Sequence, residues 1–295
     1  MLRCVFLSMD SLEGYVSYDH LAMNALRRRG WEVEEISWRK RAVDWNQYDI
    51  VLIRTPWDYQ EAPEAFMAVL EQIEESSARL ENSLELVKWN LNKLYLRELE
   101  FKGALIVPTR WYQDFSVANF RHWSAQFPGR ELIVKPLISA NADHTYRLPA
   151  ETEDSVLKEL ARVFAQRPFM VQPFMASVVD EGEYSVFFFG EQYSHTILKT
   201  PKPADFRVQE EHGGLIRAVD PEKPLLATAR KVLSLIDPLP LYSRIDLVRT
   251  EKNKFALMEV ELIEPSLYFS YSEPSAALFA RAVQARMQEG MARAQ

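Results

Sequence analysis

Acidic side chains fall on one face of the last predicted β-hairpin, where an apolar interior is expected. The stretches YSRIDLVR and FALMEVELIEPS form this hairpin. Side chains alternate between the two faces of a strand. Arg244 and Asp246 therefore share one face of the first strand, and Glu259 and Glu261 share one face of the second strand. A turn centred on Lys252-Asn253 places Asp246 opposite Glu259. The sequence therefore predicts three carboxylates in one patch beside an arginine.

Such a patch needs compensation by positive charge. Three carboxylates within a few ångströms repel one another and raise one another's pKa values, and a divalent cation removes that penalty. Oxygen ligands without Cys or His suit Mg²⁺ or Mn²⁺ better than zinc. Since Mg²⁺ completes its coordination with water and substrate phosphates, the hairpin is interpreted as a nucleotide–metal site. A solvated sheet face with ordinary surface carboxylates is the alternative interpretation.

Basic side chains that could hold the phosphates of a nucleotide occur at four places along the chain. Lys135 ends the apolar strand IVKP, where a point charge can reach phosphate oxygens. Lys93 lies in the first turn of a predicted helix, and Lys199 lies on a predicted strand. Arg207 precedes Gly213-Gly214, and paired glycines let backbone N–H groups approach an anion. Each could equally be a surface side chain, so their order along the chain carries more weight than any one of them.

The elements that position these residues divide into a β-α-β-β-α part over residues 3–77 and a mainly antiparallel part after it. The first part predicts a small parallel sheet with helices on its faces. The second part predicts an α+β arrangement. Its expected elements are a helix around 90–100, strands at 131–136 and 169–175, a helix at 153–166, a hairpin at 183–200 turning at Gly190-Glu191, a helix at 221–236, the acidic hairpin and a C-terminal helix.

Composition narrows the class of protein. The chain has 295 residues and a net charge of −7, and it lacks a dense Lys/Arg stripe, so nucleic acid is not expected as a partner. No apolar run reaches the roughly 18 residues that a transmembrane helix needs. The single cysteine, Cys4, is interpreted as a small core residue, and a cytoplasmic protein is expected. His195 and His212 are interpreted as structural, because neither belongs to a nucleophile–base motif.

The order Lys93, Lys135, VQPF, Glu183, Arg207, Gly-Gly, RID and MEVE resembles the ATP-grasp superfamily, which includes glutathione synthetase and D-alanine–D-alanine ligase. The resemblance covers roughly residues 90–285. The phrases RTPWDY, SHTILKTPKPADFRVQEEHGG and ELIEPSLYF are most similar to the branch that contains the D-cycloserine-forming cyclo-ligase. It implies an α+β ATP-grasp fold preceded by a small α/β Rossmann-like domain. The expected boundaries are 1–88 for the N-terminal domain, 89–172 for the small ATP-grasp subdomain and 173–295 for the large one.

The resemblance implies roles for individual residues. Lys93 and Lys135 correspond to the lysines that contact ATP phosphates, and Glu183 to the acid that holds the ribose. The segment Gln172, Pro173, Phe174 and Met175 corresponds to the hinge whose backbone meets adenine. Asp246 and Glu259 correspond to metal ligands, with Glu261 as a third, whereas Glu264 is offset in strand phase and is interpreted as structural. Arg207, Arg244 and Lys199 are the expected catalytic cations, and the Gly213-Gly214 loop lies near the transferred phosphate.

Two features depart from the family pattern. The loop PLISANADHTYR lacks the glycines of the usual phosphate-covering loop, and Pro173 stands where a Glu is frequent. In the first domain, Arg54 is expected to hold a substrate carboxylate, with Trp57 and Asp58 shaping the pocket, because loops after strands of α/β sheets bind ligands. A structural loop with Trp57 packed on the core is the alternative.

The implied activity is that of an ATP-dependent carboxylate–amine ligase using two Mg²⁺ or Mn²⁺ ions and an acylphosphate of a small amino-acid-like substrate. The implied partners are small molecules, with neither nucleic acid nor membrane, and a homodimer is left open. Two other classes stay open at this point: an ATP-binding regulatory or partner-binding protein without ligase activity, and a phosphoryl-transfer enzyme on the same fold.

Overall fold

The computed structural model describes residues 1–139, 143–203, 205–208, 210 and 213–293. Its first part is a parallel sheet with strands β1 (Arg3–Ser8), β2 (Glu32–Ser37), β3 (Ile50–Thr55) and β4 (Arg79–Glu81), in the order β2-β1-β3-β4. Helices α1 (Asp19–Arg27) and α2 (Pro63–Glu74) pack on it. The predicted parallel sheet is confirmed, while β4 is too short for a sequence pattern to reveal.

Two short helices, α3 (Leu84–Asn90) and α4 (Tyr95–Phe101), follow this sheet. The prediction of one helix around 90–100 is therefore wrong. The helical structure is interrupted between them, because the Asn92 side chain accepts a hydrogen bond from the Leu94 N–H. At the start of α3, the Ser83 hydroxyl accepts a hydrogen bond from the Leu86 N–H and caps the helix. Lys93 lies in this break instead of inside a helical turn.

The middle sheet is antiparallel and has the order β5-β8-β6-β7. Its strands are β5 (Arg110–Tyr112), β6 (Leu132–Pro136), β7 (Tyr146–Leu148) and β8 (Phe169–Pro173). Helices α5 (Val117–Gln126) and α6 (Asp154–Val163) cover it through an aromatic core around Phe115, Trp123 and Phe169. Both predicted strands of this region and α6 are confirmed, whereas β5, β7 and α5 were not predicted.

The third sheet is antiparallel, in the order β11-β10-β9-β12-β13. Its strands are β9 (Glu183–Phe189), β10 (Gln192–Thr200), β11 (Leu215–Ala218), β12 (Tyr242–Arg249) and β13 (Phe255–Glu261). The helices here are α7 (Ser177–Asp180), α8 (Lys223–Leu233) and α9 (Ser275–Arg293). Gly190, with φ of +56°, forms the predicted turn between β9 and β10. This arrangement confirms the α+β class, and the exact domain boundaries stay predictions.

The first and third sheets share a hydrophobic core. Phe279 of α9 is fully buried and packs against Phe6 of β1 and Phe189 of β9. Next to this core, the Asn82 side chain donates to the carbonyls of Tyr242 and Leu262 at 2.9 and 2.7 Å. The end of the parallel sheet is thereby fixed to the acidic hairpin. No helix in the described ranges has the length and apolar character required to cross a bilayer.

Candidate active site

A cleft runs between the three sheets and collects most of the predicted site residues. Its walls come from β6, β8, β9, β10, β12 and β13, together with the loop that follows β3. The predicted residues that line it are Trp57, Lys93, Lys135, Gln172, Pro173, Phe174, Met175, Glu183, Lys199, Arg207, Arg244, Asp246, Glu259 and Glu261. Residues separated by up to about two thirds of the chain are thus brought to one surface.

The acidic hairpin has the predicted register. Asp246 pairs with Glu259, and Arg244 pairs with Glu261, across β12 and β13. On the other side of β12, Ser185 of β9 lies beside Asp246 and donates its hydroxyl to the carboxylate. Asp246 is only 3% exposed. The alternative interpretation, a solvated sheet face, does not apply to this carboxylate.

Basic side chains lie between the carboxylates and neutralise them. The Arg244 guanidinium donates to Asp246 at 3.1 Å and also contacts Glu261. Lys199 Nζ contacts Glu183 and lies 3.5 Å from Asp246. In the described part of the chain, no group of three or more His, Cys, Asp or Glu side chains could hold a metal ion as arranged. The three carboxylates line one cleft as predicted, and each lies within salt-bridge distance of a basic side chain.

Lys93 is held against Glu259 by the break between α3 and α4. Its Nζ lies 3.1 Å from the Glu259 carboxylate and donates to the Ser139 carbonyl at 2.7 Å. On either side of this break, the Asn90 amide and the Tyr95 hydroxyl hydrogen-bond the backbone of β13 at Val260. The backbone hydrogen-bonding groups of Val260, at the outer edge of β13, are thus paired with side chains that also fix the position of Lys93.

Lys135 enters the same region from β6. Among the described residues, no carboxylate oxygen lies within 4 Å of its Nζ. Burial lowers its pKa, and the nearby charge of Glu259 opposes that effect only in part. A half-buried amine without a close counter-ion can accept an anionic ligand at little cost in broken contacts.

The environment separates the pKa values of the acidic groups. Burial raises the pKa of Glu261 to about 8, against the lowering effect of Arg244. For Asp246, burial also favours the neutral form, but the charges of Arg244 and Lys199 outweigh it and lower the pKa. For Glu259 the same balance, with Lys93 and Lys135 as the opposing cations, again lowers the pKa. Asp246 and Glu259 are thus kept ionised.

One end of the cleft is apolar and is formed by the hinge after β8. Gln172 donates its side-chain amide to Thr109, and the Phe174 N–H donates to the carbonyl of Glu131 at 2.8 Å. The Arg147 guanidinium stacks on the Phe174 ring at 3.8 Å from its centre. The other apolar residues at this end are Val107, Ile133, Met175, Val178, Val208 and Met258. The hinge is thus held by hydrogen bonds and presents apolar side chains to the cleft.

Two residues of the predicted substrate pocket lie elsewhere. Arg54 is fully buried, its guanidinium pairs with Asp19 at 3.1 and 3.2 Å, and it donates to the Pro265 carbonyl at 2.9 Å. Asp58 accepts hydrogen bonds from Arg39 and from the Trp38 indole. Arg54 therefore ties α1 and the segment after β13 to β3 instead of facing a substrate carboxylate. Among these three predicted residues, only Trp57 lines the cleft.

The loop that carries Arg207 is described only in part. Arg207 lines the cleft and pairs with Asp205 at 2.9 Å, which lowers the pKa of that carboxyl. Gly213, with φ of +82°, and Gly214 are not among the residues that line it. The His212 interpretation and the middle of the Gly-poor loop at 140–142 lie outside the described residues.

The two remaining interpretations agree with the structure. Cys4 is fully buried in the core of the parallel sheet. His195 is 6% exposed and stacks on Phe187 with ring centres 4.3 Å apart. Tyr59, Glu264 and Ser185 were not predicted as site residues. Only Ser185 had a usable signal, because it follows Glu183 at the spacing of one strand face.

Comparisons with known proteins agree with this geometry. Residues 4–82 match the family model described as the N-terminal domain of D-cycloserine synthetase DcsG. The cycloserine biosynthesis protein DcsG of Streptomyces lavendulae is 31% identical over 297 residues, which cover 95% of this chain and 98% of that protein. The crystal structure of D-cycloserine synthetase DcsG is similar, with a TM-score of 0.87 and 29% identity over 97% of this chain and 99% of that one.

More distant solved structures share the fold. D-alanine–D-alanine ligase from Bacillus anthracis has a TM-score of 0.70 and 12% identity, with 100% of both chains covered. The ATP-grasp ligase PsnB, solved with a precursor variant, Mg and ADP, has a TM-score of 0.68 and 15% identity, with 97% of this chain and 98% of that one covered. These likenesses confirm the predicted fold class.

Proposed function

Because this chain belongs to the ATP-grasp ligase family, in the branch that includes D-cycloserine synthetase DcsG, we propose that it is an ATP-dependent carboxylate–amine ligase for a small amino-acid-like substrate. One observation carries the proposal. Carboxylates on two paired strands and basic side chains from several elements line one cleft, beside an apolar hinge. The hinge suits the base of a nucleoside triphosphate, the basic residues suit its phosphates, and the carboxylates suit its bound cations.

The apolar end of the cleft suits the base of the nucleotide. Phe174 and Met175 of the hinge would lie along the adenine, with Ile133 and Met258 on its faces. Glu183, which is 8% exposed, would accept hydrogen bonds from the ribose hydroxyls after exchanging its contact with Lys199. Apolar walls with few polar groups are the usual composition of such a pocket.

The basic residues suit the phosphates. Lys135 needs no rearrangement to contact an anion, whereas Lys93 and Lys199 would exchange their carboxylate contacts for phosphate oxygens. Arg207 and Arg244 would stabilise charge on the phosphoryl group as it transfers.

The carboxylates fit a hard divalent cation. Asp246, Glu259 and Glu261 offer only oxygen donors, they lie on paired strands, and they face the same cleft as the basic residues. We propose that they hold two Mg²⁺ or Mn²⁺ ions once Arg244 and Lys93 have turned to the phosphates. Such ions would neutralise the phosphate tail and orient it for in-line transfer.

The chemistry requires positioning more than a side-chain nucleophile. A substrate carboxylate would attack the γ-phosphorus of ATP, forming an acylphosphate and releasing ADP. An amine of the substrate would then attack the acyl carbon, forming the amide and releasing phosphate. The protein contributes by holding the carboxylate in line with the γ-phosphate and by placing the cations around the transferring group. Closure of the cleft would keep water from the acylphosphate.

The names of the relatives suggest where to look for the substrate. Because two of them are named for D-cycloserine, a cyclic serine derivative, we propose that serine-derived amino acids with a nitrogen nucleophile on the side chain are candidates. Ring closure within one molecule would then replace joining of two molecules.

The test is an ADP-release assay with Mg²⁺ over a panel of small amino acids, hydroxyamino acids and O-substituted D- and L-serines. We expect substrate-dependent ADP release and a product whose mass is that of the substrate, or of the two joined substrates, less one water. A phosphorylated product without an amide would favour phosphoryl transfer. Tight Mg·ADP binding without ADP release for any compound would favour a regulatory protein.

A further inference from the structure

The acidic side chains that line the cleft differ in their counter-ions. Four of the five lie within salt-bridge distance of a basic side chain: Glu183, Asp246, Glu259 and Glu261. Glu264 is the exception, since among the described residues no lysine, arginine or histidine nitrogen lies within 4 Å of its carboxylate. A charge at this position lacks the compensation that the protein provides for its neighbours.

The position of Glu264 is fixed by the loop that follows β3. The Trp57 indole donates to the Glu264 carbonyl at 2.9 Å, and the Tyr59 side chain lines the cleft beside it. Burial raises the pKa of Glu264 to about 7, because the nearby Tyr59 hydroxyl and the charge of Lys93 offset burial only in part. Trp57 and Tyr59 are 7% and 5% exposed, and both line the cleft.

Glu264 lies on the side of the cleft that the parallel sheet forms, whereas the hinge comes from the middle sheet. Trp57 and Tyr59 follow the carboxyl end of β3, where open α/β sheets place ligands. The nucleotide's base and phosphates are assigned to the other parts of the cleft. The region around Glu264 is thus left for the acceptor substrate.

We propose that Glu264, beside the loop that carries Trp57 and Tyr59, binds an ammonium group of the substrate. This inference rests on the proposed ligase function. A carboxylate and an aromatic face both attract a cation, through charge-assisted hydrogen bonds and cation–π attraction. A substrate carboxylate would be repelled there, and no basic side chain of the described residues stands within 4 Å to offset the repulsion.

The pairing has a consequence for the class of substrate. An amine that bonds a carboxylate is stabilised in its protonated form, which has no lone pair for attack on an acylphosphate. The nitrogen that forms the amide must therefore be a second, neutral one. The substrate is an amino acid that keeps its ammonium group throughout and carries a separate nitrogen nucleophile.

The experiment compares two probes that differ only in the ammonium group, D-serine and 3-hydroxypropionate, with L-serine as the second enantiomer. Binding is measured by calorimetry on the full chain loaded with Mg²⁺ and a non-hydrolysable ATP analogue. The variants are Glu264→Gln, which keeps size and hydrogen bonding but removes the charge, and Glu264→Asp. Glu75→Gln, at an exposed glutamate of the first part of the chain that does not line the cleft, is the control.

We expect the wild-type protein to bind at least one serine enantiomer about tenfold or more tightly than 3-hydroxypropionate, and Glu264→Gln to lose that preference. Glu264→Asp should keep part of it, and Glu75→Gln all of it. Equal binding of both probes by the wild type, binding of neither, or a preference retained in Glu264→Gln would overturn the inference. Binding of Mg·ADP without substrate separates the two proposals. A wild-type protein that does not bind Mg·ADP counts against the ligase function. In Glu264→Gln the Mg·ADP affinity should differ from that of the wild type by less than about twofold.

Discussion

Replacing Glu259 by Gln removes one negative charge from the centre of the cleft while keeping the shape of the side chain. Glu259 is the register partner of Asp246 and lies 3.1 Å from Lys93. If it holds a cation beside the phosphates, the loss resembles the loss of one preorganised electrostatic group, which costs about 3–4 kcal/mol of transition-state stabilisation. We therefore expect kcat to fall about a hundredfold to a thousandfold.

The same substitution should have little effect on folding. Gln keeps an oxygen that accepts from Lys93, and the Glu259 side chain is 29% exposed, so solvent screens the ion pair. A cost of about 1 kcal/mol is expected, set against a total free energy of unfolding of roughly 5–15 kcal/mol. That corresponds to a Tm lower by about 2–4 °C. Loss of folded protein cannot then account for the loss of turnover.

The assay is ADP release coupled to NADH oxidation, at several Mg²⁺ concentrations, with Tm measured on the same samples. Half-saturation should require more Mg²⁺ in Glu259→Gln than in the wild type. Glu251→Gln is the control, because Glu251 lies in the turn of the same hairpin and its side chain is 78% exposed. A kcat within about threefold of wild type, with an unchanged Mg²⁺ requirement, would refute the assignment of Glu259.

Three further predictions concern phosphate contact, pH and stability. Lys135→Ala should raise the apparent KM for ATP by about tenfold or more, since a half-buried amine without a close counter-ion is lost; unchanged nucleotide kinetics would contradict the role of Lys135. Burial lowers the pKa of His195 to about 4, so the folded protein binds this proton less readily than the unfolded chain does. The stability that the neutral imidazole contributes is therefore complete above the pKa of the unfolded chain and is lost as the pH falls toward 4. Urea unfolding should show that the wild type loses about 2 kcal/mol more than His195→Gln between about pH 7 and about pH 5, and parallel pH profiles would refute the explanation. Arg54→Met should lower the free energy of unfolding by about 3–5 kcal/mol, because it leaves Asp19 buried and unpaired, while KM for ATP measured on the folded fraction stays the same; a raised KM without loss of stability would restore a ligand-binding role.

Local patterns were sufficient to predict the acidic hairpin. The two-residue period of a strand assigns Asp246 and Glu259 to faces, and a short turn fixes their register, so both steps depend on neighbouring residues. The same holds for the hairpin that turns at Gly190. By contrast, β4, β5, β7 and β11 have three or four residues each, which is too few for a period to show.

Contacts between distant segments explain what the sequence could not reveal. Arg54 lies just before a loop that suits ligand binding, but its partners are Asp19 and the carbonyl of Pro265, which no local pattern connects to it. Glu264 was interpreted as structural because it is out of phase with β13. Its place in the cleft depends on Trp57 and Tyr59, some two hundred residues away. The order of the basic residues predicted that they meet, but not that they pair with the carboxylates.

The burial of Phe279 against both Phe6 and Phe189 means that the first eighty residues share one apolar core with α9 and the third sheet. Their apolar surface is completed by α9, which lies far along the chain, so this surface is covered only after that helix has been synthesised. Exchanging this segment between homologous ligases as a cassette would consequently require exchanging the terminal helix with it. A recombination point directly after this segment would divide residues that pack in one hydrophobic core.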